Sequence, residues 1–380
     1  MKVKQQHFIH GAWQDVKTDD GFHSDRCQLV LAFGSVSVIT ETDHYTHLKA
    51  QYPNADIIIA STAGEIIDDM VYDNTLAVTA IDLEKSKTRS SVLSLSATRS
   101  SYETGKELMQ QLSADDLSYV FVISDGTKIN GSELVSGFNA DNTRHIPVTG
   151  GLAGDGARFQ ATVTGLNAAP SEGNVIAIGF YGTNLRIGHG SVGGWDEFGH
   201  ERVVTKSDKN VLYEIDNKSA LSLYKEYLGD YVNELPGSAL LFPLSLKKTN
   251  AETAVVRTIL AISDADNSMT FAGNMPEGSK VRLMKANFDK LIDASSNAAE
   301  GSFEGISGHK PDLAILISCV GRKLILQHRI DEEVEAAREI FGDDVPITGF
   351  YSYGEISPFK TEAKCELHNQ TMTITTFYEL

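Results

Sequence analysis

Cysteine is scarce in this sequence. Cys27, Cys319 and Cys365 stand far apart, and no CxxC pair exists. That excludes a zinc ribbon, a thioredoxin-like redox site and CxxCH haem attachment. Long apolar runs are missing too: no stretch approaches the ~18 residues that a membrane span needs. The segment from Met1 to Trp13 is polar and lacks the apolar centre of a secretory signal. Basic residues are outnumbered, 33 Lys and Arg against 51 Asp and Glu, for a net charge of −18. Nucleic acid and anionic membrane surfaces both require clustered cations, so neither is an expected partner. The reading is a cytoplasmic protein with reduced thiols.

Catalytic signatures are equally lacking. The sequence holds no GxSxG elbow, no Walker A motif, no HExxH and no complete dinucleotide fingerprint. His44 and His47 stand three apart on an expected helix without a third metal ligand beside them. Neither catalytic nor metal-binding residues are therefore assigned.

What is present is a large globular chain. Its 380 residues, 41% of them hydrophobic, suffice for two or three domains with a substantial core. A pattern recurs three times. Leu29 to Phe33 is a short apolar run ending in Gly34-Ser35. Thr40-x-x-Asp43 then resembles a capping box before a helix carrying Tyr45 and Leu48, and Ile57 to Ala60 leads into Ser61-Thr62-Ala63-Gly64-Glu65. The second copy runs from Tyr119–Ile123 through a helix bearing Leu134, Val135 and Phe138 to Gly150-Gly151-Leu152-Ala153-Gly154-Asp155. The third begins at Leu313–Ile317. Its helix carries Ile330, Val334, Ala337 and Phe341 at helical spacing, and it ends in Tyr351-Ser352-Tyr353-Gly354-Glu355.

Each copy reads strand, polar turn, helix, strand, Gly-acid turn, which is a βαβ unit with parallel strands. Alternating runs at Thr75–Ile81, Ser91–Ser96, Gln160–Leu166, Asn174–Tyr181, Val255–Ile262 and Met372–Phe377 read as antiparallel extensions. Another helix carries Ala220, Leu221, Tyr224, Tyr227 and Leu228, closed by Gly229. The expected fold is α/β, with mixed sheets built from three related βαβ units, in two domains. The boundary falls at Glu234-Leu235-Pro236-Gly237.

These motifs, taken in order, resemble the FIST family. Phe33-Gly34-Ser35, Ser61–Glu65, Gly151–Asp155 and Gly194-Trp195 resemble its N-terminal domain, placed at 25–235. Ser318-Cys319-x-Gly321-Arg322, Gly349–Ile356 and His368-Asn369-Gln370-Thr371 resemble its C-terminal domain, placed at 236–380. The resemblance implies a signal-transduction module that binds small ligands such as amino acids. Members of this length include nitric-oxide-sensing haem proteins, which act on a partner sensor histidine kinase.

Parallel sheets gather ligands at the carboxyl ends of their strands. Ser61, Thr62, Glu65, Gly150, Gly151, Asp155, Arg322, Tyr351, Tyr353, Glu355, His368 and Asn369 are accordingly the candidate ligand residues. Acids suit an ammonium and Arg322 suits a carboxylate. The competing reading gives the glycines to turns, the acids to backbone N–H groups and His368 to bracing the Gly354-Glu355 turn. For haem b, the glycine-rich stretch 188–200 offers His189 and His200 as axial ligands and Trp195 as a wall. Cys319, at a buried strand end, reads as a core residue. Three functions follow: a haem-based nitric oxide sensor, a sensor of an amino acid or related metabolite, or an interaction scaffold without ligand.

Overall fold

Fully apolar strand runs demand burial on both faces, and the three repeats satisfy that demand in the same way. The computed structural model describes every residue except 97, 236, 250, 252 and 360–362. Leu29–Gly34 pairs parallel with Asp56–Ser61, Leu117–Ser124 with Val148–Leu152, and Leu313–Cys319 with Ile347–Ser352. The first strand of each pair has an antiparallel neighbour on its other side: Leu76–Asp82, Asn174–Tyr181 or Met372–Glu379. Beyond each lies a further antiparallel strand: Lys2–Ile9, Lys87–Ser94 or Leu185–Val192. The mixed α/β architecture of three related βαβ units is therefore present.

The strand that leaves each unit does not stay in its own sheet. Glu65–Ile67, from the first unit, pairs with Ile347–Ser352 of the third. Gly354–Pro358, from the third, pairs with Val148–Leu152 of the second. Thr164–Leu166, from the second, pairs with Asp56–Ser61 of the first. This cyclic exchange completes three six-stranded sheets. It also covers strand edges that would otherwise stay open.

The inner faces of the three sheets share one core. Leu31, Phe33, Phe121, Ile178, Ile315 and Phe350 meet there, with the Phe33 and Phe350 rings 4.7 Å apart. Helices cover the outer faces. Val36–Glu41 and His44–Gln51 back the first sheet, burying Ile39 and Leu48. Ser101–Leu112 and Gly131–Ala140 back the second, Phe288–Ser302 and Ile330–Phe341 the third.

Residues between Leu185–Val192 and Phe288–Ser302 form an insert with its own core. There Leu221 and Tyr224 of the helix Ala220–Leu228 pack with Leu246, Met269 and Phe271, and Leu235 packs against them. Gly229 ends that helix at φ +56°, as its sequence suggests. Pro236, in the expected boundary, lies outside the described residues.

Several local readings need correction. Thr40 caps nothing: it lies within Val36–Glu41 and its hydroxyl donates to Val36 O. Asp43 is the cap, accepting from Thr46 N–H at 3.0 Å. The run Gln160–Leu166 is a strand only at Thr164–Leu166, because the Gln160 and Ala161 amides bond the Asp155 carboxylate. Val255–Ile262 breaks at Thr258 into two strands. The helix Ser101–Leu112 escaped notice although Ser100 and Glu103 form a complete capping box. Among the described residues, no helix is long and apolar enough to cross a membrane.

Close strand approach explains one glycine directly. Gly150 has φ +148°, and an added Cβ would collide with the Val122 carbonyl oxygen. Gly150→Ala should therefore cost about 3 kcal/mol, read as a lowered urea midpoint. A midpoint equal to the parent's would contradict this packing.

Candidate ligand-binding site

The three Gly-acid turns sit together at the carboxyl ends of the parallel pairs, and they interlock. Ala63 N–H donates to Tyr351 O and Tyr351 N–H to Gly64 O, both at 2.8 Å. Gly154 and Gly156 donate to Ser61 O and Thr62 O, at 3.0 and 3.2 Å, and Tyr353 donates to Leu152 O at 3.1 Å. The amides that the turn sequences offer a carboxylate are thus spent on the neighbouring unit.

The acids are spent as well in two of the three turns. Glu65, buried, accepts from the Thr62 hydroxyl at 2.6 Å and from Thr75 N–H and hydroxyl at 3.1 and 2.8 Å. Glu355 repeats the pattern with Ser352 at 2.7 Å and with Thr371 N–H and hydroxyl at 3.2 and 2.9 Å. Each latch ties a turn to the head of the next antiparallel strand. Burial pushes both carboxyls up to about 7, against the pull of those donors.

Other ligand candidates also hold the fold. Arg322 is fully buried. Its guanidinium pairs with Glu333 at 2.5 Å and donates to Gly193 O and Leu291 O. Glu333 in turn accepts from Ser318 and from the Tyr351 hydroxyl, at 2.7 and 3.0 Å. Arg322 therefore cannot clamp a ligand without abandoning this network. Ser61 accepts from Val163 N–H at 3.0 Å. Gly151 sits in a strand with Ile317 where its side chain would be. His368, held neutral by burial with a pKa near 4, donates from Nε2 to Ser357 O at 2.9 Å. Asn369 is buried, its amide on His368 O.

The second unit departs from the latch pattern. Its Asp155 accepts from Phe159, Gln160 and Ala161 N–H groups at 2.8 to 3.0 Å and from the Tyr353 hydroxyl. Asp125 takes over the closing role, bonding the Thr162 hydroxyl and Gly173 N–H. With its acid turned to its own loop, this unit leaves a cleft of about 380 Å³. That lies within the roughly 300–1,000 Å³ of small-molecule sites.

The cleft adjoins the carboxyl ends of Leu117–Ser124 and Val148–Leu152. The segment from Gly126 to Gly131 lines one side, Phe159 and Tyr353 another. The insert closes it with Asn210, Leu260 and Phe271. Asn130 also caps the helix Gly131–Ala140, accepting from Glu133 N–H at 3.0 Å. Of the sequence-derived candidates, Tyr353 lines this cleft and Asp155 stands behind it. Phe159, Asn130, Asn210 and Leu260 were missed. The turn residues Asp125-Gly126 and Asn130-Gly131 carried a legible signal, as did an isolated Phe159 in a polar loop.

The haem candidates are not brought into one pocket. His189 is half-buried on the edge strand Leu185–Val192, opposite Thr375, and desolvation lowers its pKa. Trp195 donates from its indole to Gln370 O at 2.8 Å and packs against Leu291, Ile325 and Leu326. His200 is exposed on Asp196–Asp208. The cavity beside it holds about 20 Å³ and is lined by neither His189 nor Trp195. That space admits a water, not a macrocycle. His44 packs edge-on against Phe8 and Trp13, and His47 stacks on Trp13 at 4.7 Å. Cys319 is buried, its thiol pKa raised by desolvation.

The three-unit α/β body thus carries a cleft of small-molecule size beneath an inserted domain. The FIST N domain matches residues 28–218 and the FIST C domain residues 220–358, and the chain belongs to the FIST family. FIST domains are signal-transduction sensor domains that bind small ligands. No curated protein matches the chain in sequence. Among solved structures, a cyanuric acid hydrolase from A. caulinodans is similar at 5% identity and a TM-score of 0.40, covering 100% of this chain and 99% of that one. A second cyanuric acid hydrolase structure is similar at 10% identity and a TM-score of 0.35, with the same coverage. At that level neither likeness bears on fold or activity here.

Two outcomes follow from the buried groups. Unfolded, Glu65 and Glu355 ionise near 4.5; folded, they keep a proton to about 7. Between those values the folded state binds more protons, so stability should fall as pH rises. Glu355→Gln should flatten that decline in urea midpoints measured from pH 5 to 7.5, whereas an unchanged slope would contradict it. Arg322→Ala strands the buried Glu333 charge and should cost roughly 3–5 kcal/mol. Circular dichroism melts check this, and a near-native melt would return Arg322 to the ligand candidates.

Proposed function

We infer that this chain is a cytoplasmic sensor that binds a small metabolite in the cleft between the second unit and the insert. The observation that carries the reading is the position of that cleft. It lies at the carboxyl ends of parallel strands and between two separately packed cores. A ligand there touches both parts at once. It would shift the balance between arrangements of the insert in proportion to its differential affinity for them. The partner we assign, from the family resemblance, is a sensor histidine kinase that reads the insert's position. The Thr127 hydroxyl in the lining donates to Asp125, but that carboxylate is already filled by Thr162 and Gly173, so the assigned role is binding and not catalysis.

The alternative within this family is haem-based nitric oxide sensing. The observation in its favour is His189, whose desolvated imidazole is neutral at physiological pH, as an axial ligand must be. His189, Trp195 and His200 do not share a cavity, so the residues do not fit the group as they stand.

Two titrations separate the readings. In a metabolite screen, a ligand of the folded state should raise the melting temperature by a few degrees at saturation. Tyr353→Ala should remove that shift. Hemin should remain free in solution, with no Soret band that moves on exposure to nitric oxide. A silent screen together with a responsive Soret band would replace the metabolite reading with the haem reading.

A further inference from the structure

We propose that the cleft takes an uncharged, planar heteroaromatic molecule, recognised by stacking on Phe159. The proposal rests on the cleft being the sensing site and goes further, to the chemical class of its ligand.

Phe159 is an anomaly on two counts. Its φ is +54°, a left-handed conformation that bulky side chains avoid, and its ring is 43% exposed. Neither strain nor exposure serves the core. Both are nevertheless enforced: the Phe159 N–H donates to Asp155 at 2.8 Å and to the Tyr353 hydroxyl at 3.1 Å. The Tyr353 hydroxyl is itself bonded to Asp155. One face of the Phe159 ring lies on Tyr353, with centroids 4.5 Å apart and planes at 19°. The stacked pair, Phe159 and Tyr353, lines the cleft. Backbone strain held in place by a dedicated network is a mark of functional positioning. What this network positions is a flat aromatic surface, which pairs best with another flat ring.

The insert contributes a matching feature. Leu260, 44% exposed, and Phe271 line the same cleft. Phe159 and Leu260, two large apolar side chains costly to leave in water, thus meet at the cleft from the body and from the insert.

Charge narrows the class. Lys128 is paired with Glu172 at 2.7 Å, and Lys209 with Glu133 at 3.1 Å. Asp125 and Asp155 have their oxygens filled by backbone and side-chain donors, and Arg158 lies 3.8 Å from Asp155. Arg257 lies behind Gly273 with its N–H groups on the carbonyls of Val256, Asn274 and Leu367. Among the described residues, the charged side chain that lines the cleft, Lys128, already faces an acid, and burying an unpaired charge is costly. The polar groups that remain are neutral. Asn210 uses its amide nitrogen on Phe271 O and leaves its oxygen to accept, while Thr127 and Asn130 line the cleft with side chains already bonded to Asp125 and to Glu133 and Asn274. Ring N–H and ring nitrogen atoms suit such partners.

The test is calorimetric titration of the full chain with indole, quinoline, adenine and nicotinamide, against glutamate and arginine as charged aliphatic probes. At least one planar probe should bind, and neither charged probe should. Phe159→Gly relieves the backbone strain. It should melt close to the parent while weakening the bound planar probe at least tenfold, and Phe159→Trp should retain binding. If glutamate or arginine binds and Tyr353→Ala abolishes it, the ligand class is overturned and the cleft remains the sensing site. Planar binding unaffected by Phe159→Gly, or no binding by any planar probe, also overturns the class. Melting shifts from the metabolite screen that survive Tyr353→Ala overturn the cleft itself.

Discussion

The body of this protein depends on a cyclic exchange of short strands. Each βαβ unit gives the strand after its Gly-acid turn to the sheet of another unit, and receives one in return. A strand of three residues, such as Glu65–Ile67, has no stability of its own. It persists because the pairing that it completes is completed in turn elsewhere in the ring. The common core of Phe33, Phe121, Ile315 and Phe350 follows from this, since the exchange holds three inner faces against one another. So does the chemistry of the turns. Their amides and the Glu65 and Glu355 latches secure the ring, and the buried Arg322–Glu333 pair pins the third unit to Gly193 and Leu291.

A closed ring leaves little for a ligand, which is why the departure in the second unit matters. Asp155 corresponds in position to Glu65 and Glu355, yet it organises residues 155–161 and fixes Tyr353. Asp125 supplies the missing closure from another direction. The strand exchange is kept while one rim position is left open as a cleft, and the insert covers that position. The FIST assignment and the geometry meet here: a sensor needs a site whose occupancy two packed parts can both register.

Much of the body was legible in the sequence. Parallel strands buried on both faces must be apolar throughout, so Leu29–Phe33, Tyr119–Ile123 and Leu313–Ile317 stood out. Helical spacing at Val334, Ala337 and Phe341 fixed the third crossover. The exchange itself was not legible, because exit strands are too short to show a period and their partners lie up to 285 residues away in sequence, as Glu65 does from Phe350. The cleft was hidden for a related reason. Lys128, Asn210 and Leu260 are unremarkable singly and acquire meaning only when the fold collects them beside Phe159. The Gly-acid turns misled in the opposite sense. Their composition suits a ligand, and the fold spends it on its own backbone.

The central claim is that occupancy of the cleft is felt by both the second unit and the insert. Hydrogen exchange of the full chain, with and without a ligand that shifts its melting temperature, tests it most directly. The account predicts slowed exchange at residues 126–131 and 155–161 together with residues 257–273 of the insert. Slowing confined to the stretch 188–200, or to the turns at Gly64 and Gly354, would contradict it.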